Sequence, residues 1–145
     1  MRAVIQRVKE AKVKINQTVV GEIGEGMVIL LGVANEDTEK DAEYLAEKIT
    51  HLRIFAQGEK EFDRALSDNI SEILVVPQFT LYADCRKGRR PDFTQAAPAE
   101  KAKFLYDYFV QKLKEKYEKV KTGEFGAKML VEIHNDGPVT IILDT

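Results

Sequence analysis

The hydroxyl group with the best setting for chemistry belongs to Thr80, in a segment that reads Pro-Gln-Phe-Thr-Leu over residues 77–81. A proline interrupts a β-branched stretch here, and an amide, an aromatic ring and a hydroxyl follow in consecutive positions. A threonine hydroxyl is a weak nucleophile without an adjacent base or an N-terminal amine. We therefore interpret Thr80 as a hydrogen-bonding group rather than as an attacking one.

A second candidate segment surrounds a Gly-Pro step near the end of the sequence. Residues 134–140 read His-Asn-Asp-Gly-Pro-Val-Thr and separate two apolar, β-branched stretches, 129–133 and 139–143. The two stretches are typical of the arms of a hairpin. Because proline cannot donate to a strand ladder, Pro138 is expected at a sheet edge or in a tight turn, where a cis peptide costs little. Taken alone, these residues favour the interpretation as ordinary turn chemistry.

A concentrated run of cations occupies residues 86–90. Its basic members are Arg86, Lys87, Arg89 and Arg90. The whole chain has 22 Lys+Arg against 24 Asp+Glu and a net charge of −2, which excludes a generally basic nucleic-acid coat. Any polyanion must therefore be met by a local patch. The run is either a solvated loop or such a phosphate site, and the residues alone leave both interpretations open.

The sequence favours neither a metal site nor a nucleotide-binding loop. There is one cysteine, and the two histidines are far apart and lack ligand spacing. Gly21, Gly24 and Gly26 do not connect a strand to a helix, as a phosphate-cradling loop requires. A serine-type triad also fails, since Ser67 and Ser71 have no nucleophile-elbow context. We predict no metal and no cofactor.

The apolar patterns predict the strands that must position the candidate segments. The predicted strands cover residues 3–15, 18–23, 27–33, 54–55, 73–76 and 120–121. The first three are expected to be antiparallel. In the first, the apolar positions change face along the strand, which indicates a bulge near Glu10. Residues 57–69 are charged and are interpreted as a surface excursion, with Ala65 and Leu66 able to dip inward.

Two amphipathic helices are predicted as well. In the first, Thr38 and Asp41 have capping-box spacing, and apolar residues recur at intervals of three and four. His51 falls in its last turn and is interpreted as a surface or capping residue rather than a catalytic one. The second helix is expected to start at Pro98 and to end near Lys119. Both apolar stripes must lie on a sheet.

The order of these elements indicates an α+β fold, with antiparallel β-sheets or a barrel-like core and two main helices packed outside. A length of 145 residues predicts a single domain over 1–145. The lone Cys85 cannot form an intrachain disulfide and fits a reducing compartment. No apolar run approaches membrane-spanning length, so we expect a cytoplasmic protein with no membrane contact.

Several segments together resemble the D-aminoacyl-tRNA deacylase family. The family carries a Ser-Gln-Phe-Thr-Leu motif and an Asn-x-Gly-Pro-[Val/Phe]-Thr motif, which here are residues 77–81 and 135–140. The opening Val-Ile-Gln-Arg-Val at 4–8, the Gly-Arg-Arg-Pro at 88–91 and the Gly-x-Phe-Gly-Ala-x-Met at 123–129 are also similar. The resemblance therefore spans almost the whole chain.

The resemblance implies hydrolysis of the ester that links a D-amino acid to the 3′-terminal adenosine of tRNA. It also implies a homodimer, in which each Gly137–Pro138 step, with its peptide cis, projects into the pocket of the other subunit. A cis X-Pro bond turns two consecutive carbonyl oxygens to the same side. These acceptors would bind the α-amino group, while the adjoining backbone leaves no room for an L side chain. Glycine should escape this clash, so glycine mischarged on alanine tRNA is an expected second substrate.

The family's roles carry over onto individual positions of this chain. The implied catalytic residues are Gln78, Phe79 and Thr80, and the backbone N–H groups of Phe79 and Thr80 are the candidates for an oxyanion hole. The implied substrate-binding residues are Gly137, Pro138, Arg7, Phe125, Ala127, Met129 and Asn135. Arg7 is expected to orient the carbonyls of the Gly-Pro step. The implied tRNA-binding residues are Arg86, Lys87, Arg89 and Arg90. We expect water, helped by the ribose 2′-hydroxyl, to be the nucleophile.

One position departs from the family pattern, because Pro77 stands where the family usually has serine. The position precedes the residues expected to face the substrate, so activity is still predicted. Two other functions fit the same features. One is the related deacylase branch that edits L-alanine mischarged on threonine tRNA, against which Gly137 and the Gln-Phe-Thr segment argue. The other is a non-catalytic RNA-binding dimer, with which Pro77 is compatible.

Overall fold

The fold is built around one long, bent strand at the start of the chain. In the computed structural model, which describes residues 1–66 and 71–145, β1 (Arg2–Ile15), β2 (Thr18–Ile23) and β3 (Gly26–Gly32) form the predicted antiparallel opening. The expected bulge is confirmed: Val8 and Glu10 of β1 face consecutive residues of a partner strand, so that Lys9 is the extra residue. The bend there lets the two halves of β1 contribute to two different parts of the core.

Two further strands extend the sheet in parallel. β6 (Glu72–Pro77) pairs with β3, and β7 (Val120–Thr122) pairs with β6. Each parallel step needs a long crossover connection, and the two helices, α1 (Glu39–Thr50) and α2 (Ala99–Lys116), lie within these connections. The α+β class, the nearly closed barrel and the two helices are thus confirmed, with a sheet that is mixed rather than purely antiparallel.

The predicted hairpin around the Gly-Pro step is wrong. Both of its expected arms belong to one continuous strand, β8 (Leu130–Asp144), which pairs antiparallel with β1 along its length. Gln6 faces Thr140 and Val8 faces Asn135, so the four residues 136–139 lie opposite Arg7 alone. The Gly-Pro step is a bulge in an edge strand rather than a turn. Pro138 is not paired with another strand among the described residues, so its missing N–H leaves no ladder hydrogen bond unmade.

The helices bury the stripes that their spacing predicted. The buried residues of the two stripes include Ala42, Leu45, Ala46 and Ile49 of α1 and Ala102, Leu105, Phe109 and Leu113 of α2. Asp41 accepts a hydrogen bond from the Thr38 N–H at 2.7 Å, as the capping box requires, and His51 caps the C-terminus of α1. Pro98 is the N-cap of α2 rather than its first residue. Neither helix combines the length and apolarity of a membrane span within the described parts of the chain.

The predicted surface excursion is a small β-hairpin. Strands β4 (Phe55–Gln57) and β5 (Lys60–Arg64) pair with each other around Gly58, and Ala65 and Leu66 are buried as expected. The last residues of the excursion and the discounted Ser67 lie outside the described residues. This hairpin reaches back to Arg7 of β1 through Glu61.

Candidate active site

A cavity of about 540 Å³ opens where β3 and β6 end beside the first turns of α2. Parallel neighbours end at the same edge of a sheet, and small residues at the start of α2 leave room there: Ala99 and Ala102 are part of the lining. The cavity brings together five of the predicted site residues. These are Gln78, Phe79, Phe125, Ala127 and Met129. The surface inside is mostly apolar, so the space suits an organic group with little charge.

The predicted catalytic segment lies at the mouth of this cavity. A short 3-10 helix (Phe79–Tyr82) starts directly after β6. The Gln78 N–H donates to the Leu31 carbonyl at 2.8 Å, and the Gln78 amide donates to the Thr80 hydroxyl. The backbone N–H groups of Phe79 and Thr80 have no hydrogen-bond partner in the described part of the chain. Thr80 is exposed and follows the lining residue Phe79 without lining the cavity itself.

Pro77 forms part of the cavity wall where the family usually has serine. It is the last residue of β6 and faces Leu31 of β3. The next residue, Gln78, still donates its N–H to the Leu31 carbonyl at 2.8 Å, so the end of β6 stays attached to β3 beyond the proline. The departure therefore leaves the position of the Gln-Phe-Thr segment intact.

Tyr106 of α2 lies beneath the cavity and is its one titratable group among the described lining residues. Its hydroxyl donates to the Val75 carbonyl at 2.9 Å, and its ring lies 6.0 Å from that of Phe125. Burial raises the pKa of this phenol well above its usual range. Tyr106 therefore stays protonated at working pH, and the cavity lining supplies no general base of its own.

The Gly137–Pro138 bulge is held by side chains on both sides. Its peptide is cis, as the resemblance implied. At its base, Asn135 Oδ1 accepts from the Val139 N–H at 2.8 Å, and Asn135 Nδ2 donates to the Thr140 hydroxyl at 3.1 Å. Gly137 has a φ of +129°, and a Cβ atom there would lie 2.8 Å from Val139 Cγ2. The backbone shape thus requires glycine at this position.

Arg7 is buried opposite the bulge, with 6% of its surface exposed. Its Nε donates to the Asp136 carbonyl at 3.1 Å, and its Nη1 donates to the Ile54 carbonyl at 2.9 Å. The Glu61 carboxylate of the β4–β5 hairpin accepts from Nη2 at 3.2 Å. One guanidinium thereby joins β1, the hairpin and the bulge, using the planar fork that only arginine offers.

The bulge and the cavity are separate within one chain. Residues 136–139 line another cavity of about 390 Å³, together with Arg7 and residues of the β4–β5 hairpin. No residue lines both cavities. The structure therefore groups Gln78, Phe79, Phe125, Ala127 and Met129 in one place, and Arg7, Gly137 and Pro138 in another.

The cationic residues 86–90 form an exposed loop. A backbone pair between Asp84 and Asp92 closes its neck. The Arg86 guanidinium forms a two-point ion pair with the Asp84 carboxylate, at 2.9 and 2.6 Å, and these hydrogen bonds hold the pKa of Asp84 down at about 2. Arg86 is thus already neutralised, which distinguishes it from the other cations of the loop.

Three features of the site were missed by sequence reasoning. Tyr106 follows Ala102 by four residues, so the helical spacing could have placed it on the buried stripe. Phe93 lies three residues after the cationic loop and contacts Phe79, but a single aromatic residue in a loop carries no periodic signal. The contact between Glu61 and Arg7 joins residues 54 positions apart, and nothing local in the sequence announces it.

Comparisons with known proteins agree with the resemblance. The family model described as D-Tyr-tRNA(Tyr) deacylase matches residues 4–144. A D-aminoacyl-tRNA deacylase of Thermosipho melanesiensis is 53% identical over 146 residues, with all of this chain and 97% of the relative covered.

Two solved structures share the fold. A protein described as a c-Myc DNA unwinding element binding protein is 42% identical, with a TM-score of 0.95 and coverage of 100% of this chain and 99% of its own. A probable eukaryotic D-amino acid tRNA deacylase is 18% identical, with a TM-score of 0.87 and coverage of 99% and 98%, and this likeness speaks for the fold alone. By its sequence match over nearly its full length, the chain belongs to the D-Tyr-tRNA(Tyr) deacylase family, whose members are hydrolases.

Proposed function

We propose that this protein hydrolyses the ester bond of D-aminoacyl-tRNA and releases the free D-amino acid and tRNA. The observation that carries the proposal is the apolar cavity with two unpartnered backbone N–H groups at its mouth. Such a cavity can hold an amino-acid side chain or an adenine ring, while the N–H groups of Phe79 and Thr80 stabilise the oxyanion that forms on the ester carbonyl.

Selection against L-amino acids is assigned to the Gly137–Pro138 bulge of a second copy of the chain. The bulge is exposed and rigidly braced, and it does not line the cavity of its own subunit. In a homodimer, its carbonyl oxygens would bind the substrate α-amino group, and the adjoining backbone would occupy the space of an L side chain. Arg7 and Asn135 act by holding the bulge, and Phe125, Ala127 and Met129 by lining the pocket.

The nucleophile is proposed to be water positioned by Thr80 and by the ribose 2′-hydroxyl of the substrate. The cavity lining contains no base that could activate a threonine for attack. An aminoacyl ester is already reactive toward water. Positioning of the water and stabilisation of the oxyanion can therefore supply most of the rate acceleration that the enzyme must provide.

Replacing Thr80 with alanine is expected to lower kcat by roughly tenfold while leaving turnover measurable, because one positioning hydrogen bond is lost. With a substrate that ends in 2′-deoxyadenosine, the rate of deacylation by the wild-type protein is expected to fall by far more than tenfold. Both are measured by single-turnover deacylation. A covalent acyl-threonine trapped on the wild-type protein would contradict the water mechanism.

The cationic loop is assigned to the phosphates of the tRNA. Lys87, Arg89 and Arg90 are exposed and have no ion-pair partner within residues 1–66 and 71–145. Arg86 contributes less charge, because its guanidinium is paired with Asp84. A local patch of this kind suits an acidic protein that must approach a polyanion.

The decisive experiment incubates the purified protein with D-Tyr-tRNA, L-Tyr-tRNA, Gly-tRNA(Ala) and L-Ala-tRNA(Thr), and follows the loss of each ester. We expect fast hydrolysis of the D-tyrosyl and glycyl esters and little or none of the L-tyrosyl ester. Preference for L-Ala-tRNA(Thr) would identify the threonine-tRNA editing branch instead. Binding of tRNA without turnover of any ester would identify a non-catalytic RNA-binding protein.

A further inference from the structure

Two exposed aromatic rings lie between the cavity and the cationic loop. Phe79 is 57% exposed and Phe93 is 37% exposed. Their centroids are 5.0 Å apart, with an edge-to-face angle of 64°. Phe79 lines the cavity, but Phe93 does not. The pair therefore leads from the cavity mouth to the surface outside it.

The backbone around Phe93 is well braced. The Asp92 carboxylate accepts from the Thr94 N–H at 2.9 Å and from the Thr94 hydroxyl at 2.5 Å. The Phe93 carbonyl accepts from the Ala96 N–H at 3.0 Å, and Asp92 exchanges two backbone hydrogen bonds with Asp84. A large apolar ring is thus displayed to solvent on an ordered support, instead of at a loose loop tip.

The cationic loop beside the two rings carries positive charge, which a nucleic-acid ligand requires. The Asp84–Asp92 pair that supports Phe93 is also the neck of the cationic loop. Beyond that neck, Lys87, Arg89 and Arg90 are exposed and unpaired among the described residues. Exposed aromatic rings combined with nearby cations are the usual composition of surfaces that bind single strands, because bases stack on the rings while phosphates meet the cations.

We propose that Phe79 and Phe93, with the cations of the loop, form a stacking platform for the unpaired 3′ end of an RNA. The proposal rests on the proposed function and extends it from the terminal adenosine to the nucleotides before it. Those nucleotides leave the cavity across the two rings, and their phosphates face Lys87, Arg89 and Arg90. A base inside a duplex is already stacked and cannot use the platform.

The first test compares two esters of the same D-amino acid, D-tyrosyl-tRNA and D-tyrosyl-adenosine, which lacks the preceding nucleotides. For Phe93→Ala, the ratio of kcat/KM for the tRNA ester to that for the adenosine ester is expected to fall about tenfold, since one base loses its ring. Phe93→Trp should restore the ratio. Phe104→Ala is the matched control, because Phe104 is 55% exposed on α2 and, among the described residues, stacks on Tyr108 alone.

An unchanged ratio in Phe93→Ala would overturn the platform. An equal loss on both esters would also overturn it, because Phe93 would then only support Phe79 at the ester. Phe93→Leu keeps an apolar side chain and serves if the alanine variant does not fold. Its ratio should also fall, since it cannot stack.

The second test does not depend on catalysis. Fluorescence anisotropy measures binding of a single-stranded RNA that ends in CCA and of a blunt RNA duplex. Phe93→Ala should raise the Kd for the single strand about tenfold and leave the Kd for the duplex unchanged. For the single strand, Arg89→Gln/Arg90→Gln should reduce the slope of log Kd against log salt by about 1.4. Lys40→Gln/Lys48→Gln, at two exposed lysines of α1, should leave that slope unchanged.

The two proposals fail in different ways. A wild-type protein that hydrolyses neither ester would defeat the proposed function, and the anisotropy comparison would still decide whether the platform exists. Equal binding of the single strand by wild type and Phe93→Ala would overturn the platform even if both esters are hydrolysed.

Discussion

The Gly137→Ala variant is expected to lose about a hundredfold in kcat/KM for D-aminoacyl-tRNA. At a φ of +129°, a side chain is strained by about 1–3 kcal/mol, and the new Cβ atom would lie 2.8 Å from Val139 Cγ2 and 3.1 Å from Arg7 Nη2. Val139 is buried and Arg7 is fixed by its carbonyl partners, so the tip of the bulge has to move. A displacement of about 1 Å at a substrate-positioning group is enough for a loss of this size.

Gly58→Ala is the matched control for this variant. Gly58 also has a positive φ, of +59°, but no atom outside its neighbours lies within 4 Å of the position of a Cβ. It carries a similar conformational penalty of about 1–2 kcal/mol without a clash, so stability falls in both variants and activity falls only in Gly137→Ala. Deacylation of D- and L-aminoacyl-tRNA is measured beside urea unfolding. Wild-type activity in Gly137→Ala would show that the bulge is not part of the site.

Arg7→Ala is expected to lose both stability and the preference for D over L substrates. The truncation leaves the carbonyls of Ile54, Glu61 and Asp136 without their guanidinium donor, and unsatisfied acceptors of this kind cost about 2–4 kcal/mol in total. The bulge also loses the contact that fixes it to β1. We expect a fall of at least tenfold in the ratio of D to L hydrolysis.

Two further variants make this prediction specific. Arg7→Lys keeps the charge but cannot serve three acceptors in different directions, so most of the selectivity should be lost. Lys103→Ala is the control, because the ion pair between Lys103 and Asp107 on α2 is well exposed and such pairs contribute about 0–1 kcal/mol. If Arg7→Ala unfolds at the same urea concentration as Lys103→Ala and keeps its D preference, the bracing role of Arg7 is refuted.

Helices and strands could be predicted where burial of one face gives the apolar residues a regular spacing along the sequence. The stripes of α1 and α2, the capping box at Thr38 and the face change near Glu10 all appear in the structure. Strand direction could not be predicted in the same way, because a short buried strand such as β6 has the same pattern in either orientation. The parallel pairing of β6 is set by the crossover through α1, which is a property of the whole chain.

The hairpin prediction at residues 129–143 failed for a related reason. Asn-Asp-Gly-Pro is good turn chemistry, and the apolar arms on either side have the length of strands. Their partner is β1, at least 116 residues away in sequence, and no local pattern distinguishes a turn from a bulge that is paired on both sides. The resemblance to a family identified the residues of this segment, and the pairing with β1 supplied its geometry.

The four-for-one register of β8 against β1 also bears on how such a site can change over generations. A substitution alters the chemistry at the tip of the bulge, but it cannot change the number of residues between Asn135 and Thr140. Only an insertion or a deletion can do that. If the bulge did not absorb it, the pairing of β8 with β1 would slip, and a slip of one residue moves every side chain beyond it to the opposite face of the sheet. Point mutations can therefore change which substrates the tip of the bulge accepts. The distance by which the tip projects from the sheet is kept constant, because β8 is paired with β1 on both sides of the bulge.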